Sequence, residues 1–110
     1  MKLLEVIEDC CGPLLREPLD ARRAEQVAAA FKVLGDPARL RLLSLIAATP
    51  HGEACVCELI EPLGLSQPTV SHHLRLLFDA GLLERERRGT WVYYRVVPER
   101  VETLRAVLGA

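Results

Sequence analysis

The sequence predicts a mainly α domain carrying a single β-hairpin near its C-terminal end, and three observations lead there. Apolar residues recur at helical spacing through much of residues 21–80 and again after Pro98. Helix start and stop signals punctuate that stretch, at Asp36-Pro37, Gly64, Ser66-Gln67-Pro68 and Gly81. Beyond Gly81 the apolar period changes to two, across residues 83–87 and 90–96, around Arg88-Gly89.

Residues 1–20 differ from the rest and are read as a mobile, cysteine-bearing N-terminal arm; residues 21–110 form the folded domain. A first domain helix places Val27, Ala28, Phe31 and Leu34 on one face and ends at Gly35. Asp36 caps a second, with Pro37 in its first turn and Leu40, Leu43 and Ile46 or Ala47 recurring along it. A short third helix is expected from about Ala54 to Leu63, closed by Gly64. Ser66 caps a fourth, whose buried stripe is Val70, Leu74 and Leu77. The hairpin follows, and Pro98 opens a last helix with Val101, Leu104 and Leu108 in line. Two helices joined by a short Gly-containing turn and followed by a hairpin make a winged helix-turn-helix.

The chain has 110 residues, room for one core that buries about two-thirds of the unfolded surface and too few for a large multidomain enzyme. Hydrophobic residues at 50% and charged ones at 26% are globular proportions, and no apolar run is long enough to span a bilayer. The expectation is a soluble protein with no membrane partner. No basic segment leads into an apolar one at the N-terminus, so no signal peptide is read and the protein is placed in the cytoplasm.

The winged fold makes double-stranded DNA the leading ligand. Opposite the buried stripe, the fourth helix carries Ser71, His72 and Arg75, and its N-terminal end adds Gln67 and Thr69. Gln pairs with adenine, Ser and Thr bond to base edges or phosphate, and a helix N-terminus favours a phosphate oxygen. His73 lies nearer the stripe and reads as a hydrogen-bonded structural histidine. The formal charge is only −1, but residues 66–96 hold five Arg against three acids, whereas residues 1–36 hold five basic residues against seven acidic. Arg87 and Arg88 at the hairpin tip are therefore expected to reach a phosphate backbone. Trp91, Tyr93 and Tyr94 read as residues packing on the core rather than stacking on bases.

Four cysteines occur as two pairs, Cys10-Cys11 and Cys55-Val56-Cys57. In a reducing compartment they read as metal or metalloid ligands or reactive thiols, and disulfide pairing within either pair is disfavoured. A thiol enzyme is not expected, since it needs Cys-x-x-Cys before a helix or a phosphate-type loop. Thiolates are soft donors and select thiophilic ions. Positions i and i+2 of a regular helix diverge by about 200°, so Cys55 and Cys57 can share an ion only where that first turn is loosened or extended.

Leu34-Gly35-Asp36-Pro37-Ala38-Arg39-Leu40-Arg41-Leu42-Leu43, Cys55-Val56-Cys57-Glu58-Leu59, and Leu65-Ser66-Gln67-Pro68-Thr69-Val70-Ser71-His72-His73-Leu74 resemble the ArsR/SmtB family of metal-sensing repressors. The likeness covers roughly residues 21–108. It implies a homodimer joined through the first and last domain helices, repressing a metal-resistance operon and leaving DNA when an inducer binds. In the arsenic repressors that this Cys-Val-Cys resembles, both motif thiolates bind As(III) and a third is supplied nearby. Here no cysteine follows Cys57, so Cys10 and Cys11 are expected to supply it, from the partner subunit's arm as in the family's cadmium and lead sensors. As(III) or Sb(III) would take three thiolates; Cd(II), Pb(II) or Zn(II) would use the fourth. The family's His and acidic site on the last helix is missing, the histidines being residues 51, 72 and 73. A thiol-redox-sensing repressor on the same fold stays open as an alternative.

Overall fold

The computed structural model describes residues 2–10 and 14–109. Along them run α1 (Leu3–Cys10), α2 (Ala21–Leu34), α3 (Pro37–Ala47), β1 (Glu53–Cys55), α4 (Val56–Leu63), α5 (Gln67–Ala80), β2 (Leu83–Arg88), β3 (Trp91–Val96) and α6 (Pro98–Leu108). The predicted winged helix-turn-helix is present, with α4 and α5 as its two helices and β2–β3 as its wing.

Local chemistry sets the boundaries. Asp36 starts α3 by accepting the backbone N–H groups of Ala38 at 2.9 Å and Arg39 at 3.3 Å, with Pro37 in the first turn. Partial burial pushes the Asp36 carboxyl up, but those two N–H groups and the Arg39 cation outweigh it and hold the group below its ordinary value. Ser66 accepts from Thr69 N–H at the start of α5. Gly64 and Gly81, at φ +66° and +94°, take the left-handed turns that end α4 and α5.

The core is built from Leu42 and Ile46 of α3, Leu59 of α4, Val70, Leu74 and Leu77 of α5, Tyr94 of β3, and Leu104 and Val107 of α6. Leu4 and Ile7 of α1 join it, both fully buried. The first residues are thus a docked helix rather than a mobile arm. Lys2 Nζ donates to the Phe78 carbonyl at 2.6 Å, Arg100 pairs with Glu5 at 3.0 Å, and the Leu14 N–H donates to the Val107 carbonyl at 2.8 Å. These contacts lay α1 on α2, α5 and α6.

Three further expectations are corrected. On α3 the buried residues are Leu42 and Ile46, while Leu40 is 52% exposed; the helix is apolar on several sides, so periodicity alone does not select the stripe. On α6 Thr103, Leu104 and Val107 are buried and Val101 and Leu108 remain exposed. The third helix begins two residues late, because Glu53–Cys55 is a strand paired antiparallel with β3. The sheet therefore has three strands in the order β1-β3-β2.

Candidate functional site

The apolar stripe of α5 roots it in the core and turns Gln67, Thr69, His72 and Arg75 outward, with Ser71 half-buried. His73 Nδ1 lies 3.1 Å from Arg39 Nη1, and Arg39 Nε donates to the Val33 carbonyl at 2.5 Å. His73 therefore braces α5 against the α2–α3 junction, the structural role read from its position. Arg75 meets Asp79 at 3.8 Å on the open surface, a pair that phosphate can displace at little cost.

Strand pairing divides the wing into two faces. Leu83 pairs with Val96, Arg85 with Tyr94 and Arg87 with Val92, which places these side chains on the face that also buries Ala54. On it Arg85 lies 3.9 Å above the Phe78 ring of α5, and Arg87 makes no ion pair among the described residues. In the sequence Arg85 counted only toward the basic excess of residues 66–96, because Arg87 and Arg88 lie nearer the hairpin tip.

Arg88 is on the other face, and its guanidinium is occupied. It donates to both oxygens of Glu53, at 2.6 and 2.8 Å, and to Glu86 at 3.1 Å, and it lies 4.5 Å from the Tyr93 ring centroid. The hydrogen bond from Arg88, with its charge and that of Arg95, holds the Glu53 carboxyl below its ordinary value against the effect of partial burial. Arg88 pairs with Trp91 as the last rung, so the turn falls at Gly89-Thr90, one residue later than expected. Tyr94 is buried as anticipated, but Trp91 is 55% exposed.

Cys55 ends β1 in extended conformation, at φ −89° and ψ 163°, and Cys57 lies in the first turn of α4. The extended residue supplies the loosening that two thiols at i and i+2 need to face one another. Their Cα atoms are 5.4 Å apart and a disulfide joins them, contrary to the expectation against pairing. Glu58 Oε1 accepts the Cys55 N–H at 3.1 Å. The ligating atoms of Cys55, Cys57 and Glu58 all fall within 4.8 Å of one another. Reduced, this is a soft dithiolate with one hard oxygen beside it, a set that holds two of a thiophilic ion's bonds and leaves a third soft donor to come from elsewhere. Cys11 and the side chain of Cys10, the expected source, lie outside the described residues.

The thiol pair shares one cleft of about 480 Å³ with Gln67 and Ser71, two of the residues expected from the sequence to contact DNA. Cys55, Cys57 and Ile60 form one wall, Gln67 and Ser71 of α5 another, and Thr90, Trp91, Val92 and Tyr94 of the wing the third. No helix among the described residues is long and apolar enough to cross a membrane.

Residues 36–85 match the model of the bacterial regulatory protein, arsR family. The chain is 44% identical over 80 residues to an uncharacterized HTH-type transcriptional regulator of Methanocaldococcus jannaschii, a match covering 73% of this chain and 88% of that one. It is 50% identical over 78 residues to the arsenic resistance transcriptional regulator ArsR1 of Pseudomonas putida, covering 71% of this chain but only 59% of the relative. Among solved structures it is similar to the homodimeric winged helix-turn-helix DNA-binding domain of a possible ArsR-family regulator from Mycobacterium bovis. That likeness has a TM-score of 0.64 at 32% identity and covers 83% of this chain and 85% of the other.

Proposed function

The chain belongs to the arsR family of DNA-binding transcriptional regulators, and we propose that it represses a metal(loid)-resistance operon and leaves its operator when As(III) or Sb(III) binds its thiolates. The observation that carries this reading is the shared cleft, where the Cys55–Cys57 pair lies between the N-terminal end of α5 and the wing.

In the DNA complex Gln67, Thr69 and Ser71 approach base edges at the start of α5, while His72, Arg75 and Arg87 serve the flanking phosphates. Arg85 shares the Arg87 face. Two copies joined through α2 and α6 would set two such helices about 34 Å apart, one turn of the duplex. The exposed Val101 and Leu108 of α6 are apolar surface for that junction.

After two-electron reduction, Cys55 and Cys57 would hold the inducer and Cys10 or Cys11 of the partner subunit would complete three thiolates. Within one chain α1 packs on α2, α5 and α6, whereas β1 and α4 pack on α3, α5 and β3, which favours donation across the dimer. Tethering the thiol pair to the partner's α1 pulls on the strand and helix that flank α5. A coupling of about 1–3 kcal/mol is typical and weakens operator binding roughly five- to 150-fold. Cd(II), Pb(II) or Zn(II) would engage all four thiolates instead.

One observation favours a second reading: the Cys55–Cys57 disulfide is what a thiol-redox-sensing repressor would form. A single titration separates the readings. Reduced protein on its own promoter is titrated with As(III), Sb(III), Cd(II), Pb(II) and Zn(II), alongside Cys→Ser variants at 10, 11, 55 and 57. As(III) or Sb(III) should release DNA at the lowest concentration, and Cys55→Ser or Cys57→Ser should repress without responding. Release on oxidation in chelator, with no metalloid response, would replace this reading by the redox one.

A further inference from the structure

The wing is bound to the thiol pair by more than proximity. Glu53, two residues before Cys55 on β1, is the hub of a charged ladder on the face away from Arg87. It accepts two hydrogen bonds from Arg88 and lies 3.5 Å from Arg95, which in turn donates to Glu84 at 3.1 Å. Backbone pairing runs in parallel, Glu53 opposite Arg95 and Cys55 opposite Tyr93, the residue whose ring lies beneath Arg88. β1 is only three residues long, so a displacement of Cys55 reaches Glu53 with little chain to absorb it.

We propose that Glu53 and Arg88 are a positioning pair that transmits occupancy of the Cys55–Cys57 site to the wing, setting the tilt of β2–β3 against α5. This rests on the thiolate-inducer reading above and assigns a route within it. Arg88 thereby acts within the protein rather than on the phosphate backbone. The fork geometry matters: a guanidinium gripping both carboxylate oxygens fixes orientation as well as distance, so rotation of β1 turns the end of the wing.

The test uses Trp91, the one tryptophan of the sequence, cross-strand from Arg88 and on the cleft wall. The full-length, reduced protein and Glu53→Gln are titrated with As(III) alone while Trp91 emission and thiol protection are followed, and operator affinity is then measured with and without As(III). Glu84→Gln, which removes a rung not bonded to Arg88, is the control. Expected is equal thiol protection in all three proteins, with a Trp91 response in wild type and Glu84→Gln reduced at least threefold in Glu53→Gln. Operator affinity should fall at least tenfold on As(III) addition in wild type and less than threefold in Glu53→Gln. Equal Trp91 and operator responses in wild type and Glu53→Gln would overturn the assignment, as would weaker As(III) binding by Glu53→Gln without DNA. Wild-type protein that protects its thiols and shifts Trp91 but keeps its operator would instead overturn the functional reading while leaving the route to the wing standing.

Discussion

Replacing Leu4 with Ala tests whether α1 is part of the folded domain. Leu4 is fully buried, facing Gly81 at the end of α5, where Lys2 also packs and donates to the Phe78 carbonyl; Ile7, one turn on, is fully buried as well. A buried Leu→Ala change costs about 2–5 kcal/mol, the upper part of the range applying where the site cannot collapse. Here it can partly relax, because an eight-residue helix is able to shift on its neighbours, so about 2–3 kcal/mol is expected. For a domain of this size each kcal/mol moves Tm by roughly 4–8 °C, giving a fall on the order of 10 °C or more. Protomer concentration is held fixed, since any self-association adds to apparent stability. Thermal and urea unfolding followed by far-UV circular dichroism provides the measurement. A Tm within about 2 °C of wild type, well below the shift expected from the cavity and transition scaling, would show that α1 is not cooperatively folded with the domain.

Four other outcomes are expected. Arg87→Ala should weaken operator and nonspecific DNA alike and reduce the slope of log K against log salt by about one, whereas Gln67→Ala should act mainly on the cognate sequence. Gly81→Ala places an L-residue at φ +94° with its Cβ 3.4 Å from Lys2 Cβ, and should lower stability by about 1–2 kcal/mol in denaturant titration. Acid titration should destabilise the domain in the range where Asp36 protonates: its folded carboxyl lies below the ordinary value, so its contribution is complete above the unfolded pKa and disappears as pH falls through the folded one. Asp36→Asn should flatten that acid limb. Dithiothreitol treatment should raise the number of thiols reactive to Ellman's reagent by two in wild type and not in Cys55→Ser.

The architecture was legible wherever local chemistry and tertiary packing agree. Asp36-Pro37, Ser66 and Gly81 mark helix ends by hydrogen bonding and backbone conformation that operate within a few residues, and each falls where the sequence places it. Val70, Leu74 and Leu77 form one stripe because the opposite face of α5, with His72, Arg75 and Asp79, is polar and exposed. Legibility failed where the deciding partner is remote. Glu53–Cys55 is too short to show a period of two and becomes a strand only because β3 offers a free edge. Leu4 and Ile7 read as part of an arm because nothing local reveals that the domain core will receive them. The thiol site was read half correctly: the need for an extended Cys55 followed from helical geometry, but the disulfide and the cleft shared with Trp91 depend on how the wing folds back. Arg88 looked like its neighbour Arg87 until strand register assigned them to opposite faces.

The outer border of the sheet has its own consequence. β2 runs Leu-Glu-Arg-Glu-Arg-Arg with every residue after Leu83 exposed, and it pairs on one side only. An unpaired strand is a template for recruiting further strands, yet alternating charges of both signs make a stacked neighbour pay in desolvation and mispaired like charges. The hairpin can thus stand out into solvent beside α5 without seeding fibrils.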